Sequence, residues 1–457
     1  MNATSTRRVV VEPGGEQVVA HVGLHALGTF ADQLGLGEAL SARIPITGAR
    51  APLHDRGKVL VQAMLMLAGG GESCADIEHL RVENDLFNDV CSDSTLYRTF
   101  TDDLDAATLG ALKEGFAEVR STVWRRAKLI KGTDPVVLDL DASLVEVHSE
   151  HKEGTGPTYK GGFGFHPMFC FADATGEALS ALLRPGNAGA NNAADHLAVL
   201  DEAVAQLPEQ VAAGHRAGDD PDQLRRPVVA RADSAGATYE FVWGCRERNV
   251  GFAVTARATT QVHAALSKIV DDERRWKPAR RQDGKRRQGA AVAEVTDLVD
   301  LSGWPPGTRL IIRREPLHPG AQKSLFPSLE HRYWGHYTDQ RGTPVERDVF
   351  MRAHAHVEDH IGRLKDSGVL RFPFSDLDAN RAWLAEVCFA ADLVRWFQTL
   401  CLHGTLAVAE PKALRWRLWH APARMVRSGR QTVVRVLDGW PEAEAIVRAY
   451  RRIVLIA

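Results

Sequence analysis

The sequence predicts an α/β protein in which a mixed sheet carries the functional residues. Apolar side chains have helical spacing over residues 20–130, the period changes to that of strands after residue 135, and helical spacing returns near residue 345. The chain has 457 residues, enough for two or three domains. A hydrophobic content of 44% and a charged content of 25% are ordinary for a soluble globular protein.

Residues 1–130 are expected to form a helical region. The segment 58–68 is apolar enough to be a buried helix, and the glycines at 69–71 would end it. Ser92 has a side chain suited to cap the next helix. A helix-turn-helix fits this pattern, and we predict that the region binds DNA.

Residues 131–257 are expected to form the first part of a catalytic core. The pattern predicts three antiparallel strands, a helix, and then a strand, a helix and a strand. The predicted segments are 136–148, 162–171, 178–184, 193–206, 228–232, 238–248 and 252–256. This order is typical of a ribonuclease-H-like fold.

The remaining chain is predicted to hold three parts. Residues 258–342 contain short β-like runs and a basic cluster, which indicates a β-rich insertion into the core. Residues 343–405 return to helical spacing and would complete the core. Residues 406–457 are basic and are expected to form a helical tail.

Two aspartates and a distant glutamate are the candidate catalytic residues. Asp141 ends the apolar run 136–141 within the first predicted strand, Asp233 follows the run 228–232, and Glu358 lies in a charged helical stretch. Carboxylates are the ligands that Mg²⁺ and Mn²⁺ prefer, and two such ions about 3.5–4 Å apart can assist phosphodiester cleavage. Asp139 shares a strand face with Asp141. Asp141 is preferred because it lies nearer the strand end, with Asp139 a supporting group or a charge at the strand edge.

Local basic stretches favour a nucleic acid as the partner, although the net charge is only −2. One stretch covers residues 274–287 and another covers 412–452. Solvated surface charge is the competing explanation for either. The basic residues predicted to contact DNA are Arg274, Arg275, Arg280, Arg286, Arg415 and Lys365, which lies two helical turns beyond Glu358.

Six motifs together resemble one family. They are LDLDAS at 138–143, YKGGFGFHP at 159–167, LRPGN at 183–187, RADS at 231–234, VEDHIGRLK at 357–365 and LRWRL at 414–418. The chain resembles, over nearly its whole length, the DDE transposases of bacterial insertion sequences, in particular the thirteen-eighty group of the insertion-sequence-four superfamily. The resemblance implies that Asp141, Asp233 and Glu358 bind two Mg²⁺ or Mn²⁺ ions. It also implies cut-and-paste cleavage and strand transfer at terminal inverted repeats, with a homodimer holding the paired DNA ends.

The chain departs from the superfamily around the third acid. Glu358 and Lys365 match the last two positions of a Tyr, Arg, Glu and Lys signature, but Met351 and His354 stand at the first two. His354 would be a weaker, pH-dependent phosphate contact, and Arg352 is a candidate replacement. Slower or degenerate activity is therefore one expectation.

An aromatic residue in the insertion is expected to hold a base flipped out of the DNA, as in cut-and-paste relatives. Stacking on such a base contributes about 1–3 kcal/mol. Tyr333 and Trp334 are the best candidates and Trp304 is a second, with a place in the core as the competing explanation for each.

Several other functions are alternatives to that of a cut-and-paste transposase. A zinc hydrolase is disfavoured because the histidines at 354, 356 and 360 lack the HExxH order. A nucleotide-binding role is disfavoured because the GGxG at 161–164 is not in a strand-to-helix turn. A transposase descendant that binds DNA ends without cutting, and a structure-specific nuclease, remain alternatives. The six scattered cysteines and the missing apolar leader favour reduced thiols in a cytoplasmic protein. The resemblance implies a bacterial protein that associates with the nucleoid.

Overall fold

A nine-stranded mixed sheet forms the centre of the computed structural model, which describes residues 17–45, 52–129, 133–149, 151–317, 331–429 and 431–456. In chain order its strands are β1 (Val136–Ala142), β2 (Met168–Ala172), β3 (Glu177–Leu182), β4 (Val228–Ala232), β5 (Gly251–Thr255), β6 (Lys277–Arg280), β7 (Arg286–Glu294), β8 (Arg309–Pro316) and β9 (His331–Thr338). Their order across the sheet is β6-β7-β8-β9-β5-β4-β1-β2-β3.

Strands β1, β4 and β5 are the parallel centre of this sheet, and the other pairings are antiparallel. Every residue of β4 is buried. Strands covered on both faces read as nearly continuous apolar runs, which is why β4 and β5 were predictable from sequence. The predicted order of three antiparallel strands, a helix and a β-α-β unit is present.

Helices cover both faces of the sheet. The longer helices are α1 (Val22–Gln33), α2 (Arg56–Gly69), α3 (Ala106–Ala127), α4 (Ala193–Ala205), α5 (Tyr239–Glu247), α6 (Thr260–Ile269), α7 (Pro344–Arg352), α8 (His356–Leu364), α9 (Leu377–Cys401) and α10 (Ala443–Ile453). Shorter helical segments include Leu36–Ser41, Glu78–Arg81, Asn84–Phe87, Asp93–Arg98, Glu209–Ala212 and Pro411–Leu414. Ser92 caps its helix as predicted, accepting a hydrogen bond from the Thr95 amide at 3.2 Å.

The N-terminal helices share one hydrophobic core with the C-terminal part of the chain, and so do not form a separate module. Phe116 of α3 stacks on Phe389 and Trp396 of α9, with ring centroids 4.2 and 4.6 Å apart. A buried ionic contact joins the same elements, since Arg120 of α3 donates to Glu177 at 3.0 Å and to Asp392 at 2.7 Å. A second core lies on the other side of the sheet, under α4 and α5.

The predicted β-rich insertion does not form an independent sheet. After helix α6, strands β6 to β9 continue the main sheet, because β9 pairs antiparallel with β5. Strand β6 was missed by sequence reasoning, and it has only four residues.

Two predicted strands are each broken in two. The predicted strand 162–171 divides at His166-Pro167 into Phe163–Phe165 and β2. Phe163–Phe165 joins a small sheet with Val145–Val147 and Gly156–Pro157, so the predicted strand 136–148 divides as well.

The prediction of a wholly helical C-terminal tail is wrong. Strands Ala423–Ser428 and Gln431–Val436 pair as an antiparallel hairpin, and Val18–Val19 adds a third strand. The second hairpin strand has three valines among six residues, which favours a strand, and α10 is the long helix among the described residues of this region.

All six cysteines are buried and free of disulfide bonds. No helix in the described ranges is both long enough and apolar enough to cross a membrane.

Candidate active site

Asp141 and Asp233 lie next to each other at the carboxyl ends of β1 and β4. The parallel register places Leu140 opposite Ala232, so the two aspartates occupy the next position on each strand. The Asp141 carboxylate accepts a hydrogen bond from the Ala142 amide at 2.7 Å and is half-buried. Asp233 is exposed, and its carboxylate accepts one from the Ala235 amide at 2.8 Å. The ends of two central strands therefore present two carboxylates together.

Glu358 approaches this pair from helix α8. It lies in the first turn of the helix and is exposed. The pKa of Asp141 is raised by burial and then by the negative charges of Asp233 and Glu358, while the Ala142 amide and His354 act in the opposite direction. The three acids are close enough for their charges to interact.

The donor set fits hard divalent cations. Mg²⁺ takes one or two carboxylates from the protein and completes its shell with water and substrate. Burial is the largest cause of the raised pKa of Asp141, and the negative charges of Asp233 and Glu358 add to it. Within the described part of the chain, no three His, Cys, Asp or Glu side chains converge into a preformed metal site.

Asp139 occupies the preceding rung on the same strand face and is fully buried. Arg231, opposite it on β4, donates to both of its oxygens, at 2.8 and 2.6 Å. Burial opposes ionisation of Asp139, but hydrogen bonds from His354 and Arg231 outweigh it, so its pKa is lowered. Both oxygens of Asp139 are therefore occupied, which gives the preference for Asp141 a structural reason.

The pair of Asp139 and Arg231 belongs to a larger group. His354 Nδ1 lies 2.8 Å from Asp139 Oδ1, Arg231 Nη2 lies 3.0 Å from Asp173 Oδ2, and His356 Nδ1 lies 2.8 Å from Asp173 Oδ1. We call Asp139, Asp173, Arg231, His354 and His356 the Arg231 cluster. Sequence reasoning did not consider Asp173. A signal existed only for the pair of Asp139 and Arg231, because Arg231 precedes Asp233 by two positions, as Asp139 precedes Asp141, and such residues share a strand face.

The residues around the third acid differ in burial and in the contacts that they make. Lys365 is half-buried where α8 ends, and no hydrogen bond or ion pair with another described residue engages its ammonium. Arg352 donates to Asp348 at 3.0 Å and to the Arg280 carbonyl. Met351 is buried at 8% exposure and so belongs to the core. Only Lys365 of these three is free to contact a phosphate.

Arg415 binds the protein itself. Its guanidinium donates to the Ala68 carbonyl at 3.2 Å and to the Asp366 carbonyl. These contacts join the end of α2 to the turn after α8. The Arg415 guanidinium is therefore engaged within the protein and not directed to a DNA surface.

The aromatic candidates of the insertion have different surroundings. Trp334 on β9 is 37% exposed, with the guanidinium carbons of Arg313 and Arg332 5.1 and 4.6 Å from its ring centroid. Tyr333 is half-buried, and its ring lies 6.2 Å from that of Trp276. Trp304 is buried and stacks on Tyr337 at 4.0 Å, as a core aromatic does.

The basic stretch 274–287 divides into neutralised and free charges. Arg274 and Arg275 pair with Asp272 and Asp297 at 2.9 and 2.5 Å. Arg280 and Arg286 are exposed and lie directly opposite each other on β6 and β7. Like charges opposite each other are destabilising, so an anion bound between them would be favourable.

The hairpin of β6 and β7 contacts the helix that precedes α8. Gln282 at its tip donates to the Val349 carbonyl of α7 at 3.0 Å. The free arginines of the hairpin are thus held against the helical segment that leads to Glu358.

Comparisons with known proteins identify a family for this chain. A model of the family "Transposase DDE domain group 1" matches residues 1–456. Among solved structures, the chain is similar to piggyBac transposase in a cryo-EM synaptic complex with hairpin DNA, at 9% identity and a TM-score of 0.40, over 88% of this chain and 80% of that chain. No curated protein matches the chain. Since the family model covers all but the last residue, the chain belongs to the family Transposase DDE domain group 1.

Proposed function

We propose that this transposase binds the terminal inverted repeats of its element and catalyses metal-dependent cut-and-paste cleavage and strand transfer. One observation carries the proposal. Asp141 lies near the end of β1, Asp233 directly follows the neighbouring parallel strand β4, and Glu358 lies near enough to add its charge to that of Asp141. Three carboxylates on rigid elements are suited to hold two Mg²⁺ or Mn²⁺ ions against a phosphodiester.

We further propose that the core is ribonuclease-H-like. The strand order β3-β2-β1-β4-β5, with only β1, β4 and β5 parallel, supports this assignment. The assignment to the thirteen-eighty group of the insertion-sequence-four superfamily rests on the sequence motifs alone.

The residues would divide the chemistry among them. Asp141 and Asp233 would hold the ions from the sheet, and Glu358 would complete the shell from α8. Bound there, the ions would activate the attacking oxygen and stabilise the leaving oxygen. In the first reaction water adds to the phosphorus, the bond to the 3′ oxygen breaks, and a free 3′-hydroxyl remains. In the second, that hydroxyl attacks a phosphodiester of target DNA and displaces another 3′ oxygen.

The DNA surface is proposed to combine free cations with one exposed aromatic ring. Lys365 would bind a phosphate beside the cut, and Arg280 with Arg286 would bind the backbone further away. Trp334 is exposed enough to stack on an unpaired base, whereas Tyr333 would support it from a half-buried position. Two copies of the chain would hold the two DNA ends.

The proposal is tested with a supercoiled plasmid that carries the inverted repeats flanking this gene. Purified wild-type protein is expected to nick the repeat ends with Mg²⁺ or Mn²⁺ and to join the new ends to a second plasmid. The variant Asp233→Asn is expected to bind the ends without nicking them. The matched control is Glu240→Gln, an exposed acid outside the site, which should behave as wild type.

Different outcomes of this assay separate the competing functions. Divalent-dependent nicking without joining would indicate a structure-specific nuclease. End binding without nicking by wild-type protein would indicate a transposase descendant that no longer cuts. Equal nicking by wild type and Asp233→Asn would contradict the assignment of the site.

A further inference from the structure

The Arg231 cluster joins the sheet to the helical segment that carries Glu358. Arg231 is 1% exposed and lies on β4 two positions before Asp233. Its guanidinium holds Asp139 at 2.6 Å and Asp173 at 3.0 Å, and it donates to the Phe350 carbonyl at 2.7 Å. One side chain therefore touches β1, the residue after β2, and α7.

Two histidines attach the start of α8 to the same group of acids. His354 precedes α8 and lies against Asp139, and His356 is the first residue of α8 and lies against Asp173. A carboxylate can only accept, so each ring nitrogen at 2.8 Å is the donor. Glu358 is four positions after His354, which is about one helical turn.

Rigid orientation explains this arrangement better than stability does. Burying an ion pair costs desolvation energy, and apolar side chains of similar volume often give equal or greater stability. Val357 and Ile361 already bury an apolar face of α8. Hydrogen bonds add direction, because they fix the rotation of the segment as well as its distance from the sheet. Supporting contacts of this kind orient the residues that bind metal ions.

We propose that the Arg231 cluster is a positioning unit, in which Asp139, Asp173 and Arg231 fix His354 and His356 so that Glu358 faces Asp141 and Asp233. The inference rests on the proposed metal site and assigns His354 a role within the protein rather than on DNA. The same strand pair then has two functions. Asp141 and Asp233 at its end hold the ions, and Asp139 with Arg231, two positions earlier, holds the helix that carries Glu358.

The first test needs neither metal nor DNA. Amide hydrogen exchange of full-length protein is followed in peptides covering residues 350–364. His354→Ala is expected to increase exchange there, while His354→Asn should preserve protection, because the Asn amide nitrogen can take the place of Nδ1. The control is Asp201→Asn, which removes another partly buried pair, with Arg248 at 2.5 and 2.8 Å, between α4 and the end of α5. Unchanged exchange in His354→Ala would contradict the proposal that His354 holds this segment against the sheet.

The second test asks whether His354 acts through Glu358. Binding of Mn²⁺ to the DNA-free protein is measured by the EPR signal of the free ion. Loss of a residue that supports a metal ligand typically weakens metal affinity about 10–100-fold, so His354→Ala is expected in this range. His354→Asn should bind as wild type does. The double variant His354→Ala/Glu358→Gln should bind no more weakly than the weaker single variant.

The outcomes keep this inference apart from the proposed function. If Glu358→Gln weakens Mn²⁺ binding but His354→Ala does not, the positioning role is wrong and the metal site stands. Independent losses that multiply in the double variant would also overturn the positioning role. If wild-type protein binds no Mn²⁺, or Glu358→Gln has no effect, the proposed site fails and the inference fails with it.

Discussion

Two neighbouring rungs of one strand pair have opposite electrostatic environments. On the inner rung Asp139 faces Arg231, and both charges are buried and hydrogen-bonded. On the outer rung Asp141 lies beside Asp233, and neither has a cation as a direct partner in the described chain. The pKa of Asp139 is lowered and that of Asp141 is raised. Asp139 and Asp141 share one face of β1, so the neighbour on the other strand, a guanidinium for Asp139 and a carboxylate for Asp141, distinguishes the two acids.

Removal of an outer-rung acid is expected to have the largest effect. Asp141→Ala, Asp233→Ala or Glu358→Ala should each reduce cleavage below detection, because each would remove one of the proposed metal ligands. End binding, measured by gel shift, should change little, since phosphate contacts come from cations elsewhere. Wild-type excision by any of these variants would show that its residue is not a ligand.

Breaking the inner rung should lower stability as well as disturb the position of Glu358. Arg231→Met leaves the buried Asp139 with only His354 as a side-chain donor, and removing one partner of a buried ion pair typically costs about 3–5 kcal/mol of unfolding free energy. The double variant Asp139→Leu/Arg231→Met should recover much of this loss, because no buried charge remains. Urea denaturation monitored by circular dichroism measures both. A double variant less stable than Arg231→Met would contradict this explanation.

The inner rung also makes a pH prediction. The folded-state pKa of Asp139 is lowered, so its contribution to stability is complete above the unfolded-state value of about 3.9 and is lost as the pH falls through the folded-state value. Wild-type protein should therefore lose unfolding free energy below about pH 4 more steeply than Asp139→Asn does. Equal slopes in denaturation series at pH 3 to 6 would contradict this expectation.

The pair of Arg280 and Arg286 on β6 and β7 is a third case, in which two like charges face each other. Arg286→Glu would face Arg280 across β6 and β7, and replacing repulsion by attraction should raise the unfolding free energy by about 0.2–1 kcal/mol. The same change should weaken DNA binding and flatten its dependence on salt, because a phosphate contact is lost. Unchanged affinity and salt slope would exclude this pair from the DNA surface.

The smallest effect is expected at the neutralised end of the same basic stretch. Arg274→Gln and Arg275→Gln remove charges already paired with Asp272 and Asp297. Their effect on the salt dependence of DNA binding should be smaller than that of Arg286→Gln, measured by fluorescence anisotropy. A larger effect would mean that DNA displaces these surface pairs.

Sequence patterns predicted the elements that bear the acids because those elements are locally determined. Strand β4 is a short apolar run followed by Asp233, and its predicted and observed limits coincide. The helix predicted from about residue 345 to Lys365 is present as α7 and α8 with a short turn between them. The sequence therefore predicted correctly that two strands and a helix carry the three acids.

Contacts between distant segments could not be predicted in this way. Asp173 contacts Arg231 and His356 only because three segments of the chain meet at one point. The distant backbone carbonyls that accept hydrogen bonds from Arg352 and Arg415 leave no trace in local composition, unlike Asp348, which lies four positions before Arg352. The C-terminal hairpin was missed because its arginines were read as part of a basic helical tail.

The contact between Arg120 and the two acids Glu177 and Asp392 limits how this chain could be engineered. An exchange of the N-terminal helices with those of a relative would remove Arg120 and leave two carboxylates buried beside each other. Such a chimera would need a cation at the same place or neutral residues at both acids. Changes to these helices would therefore be made by point substitutions on their surface rather than by replacing them as a cassette.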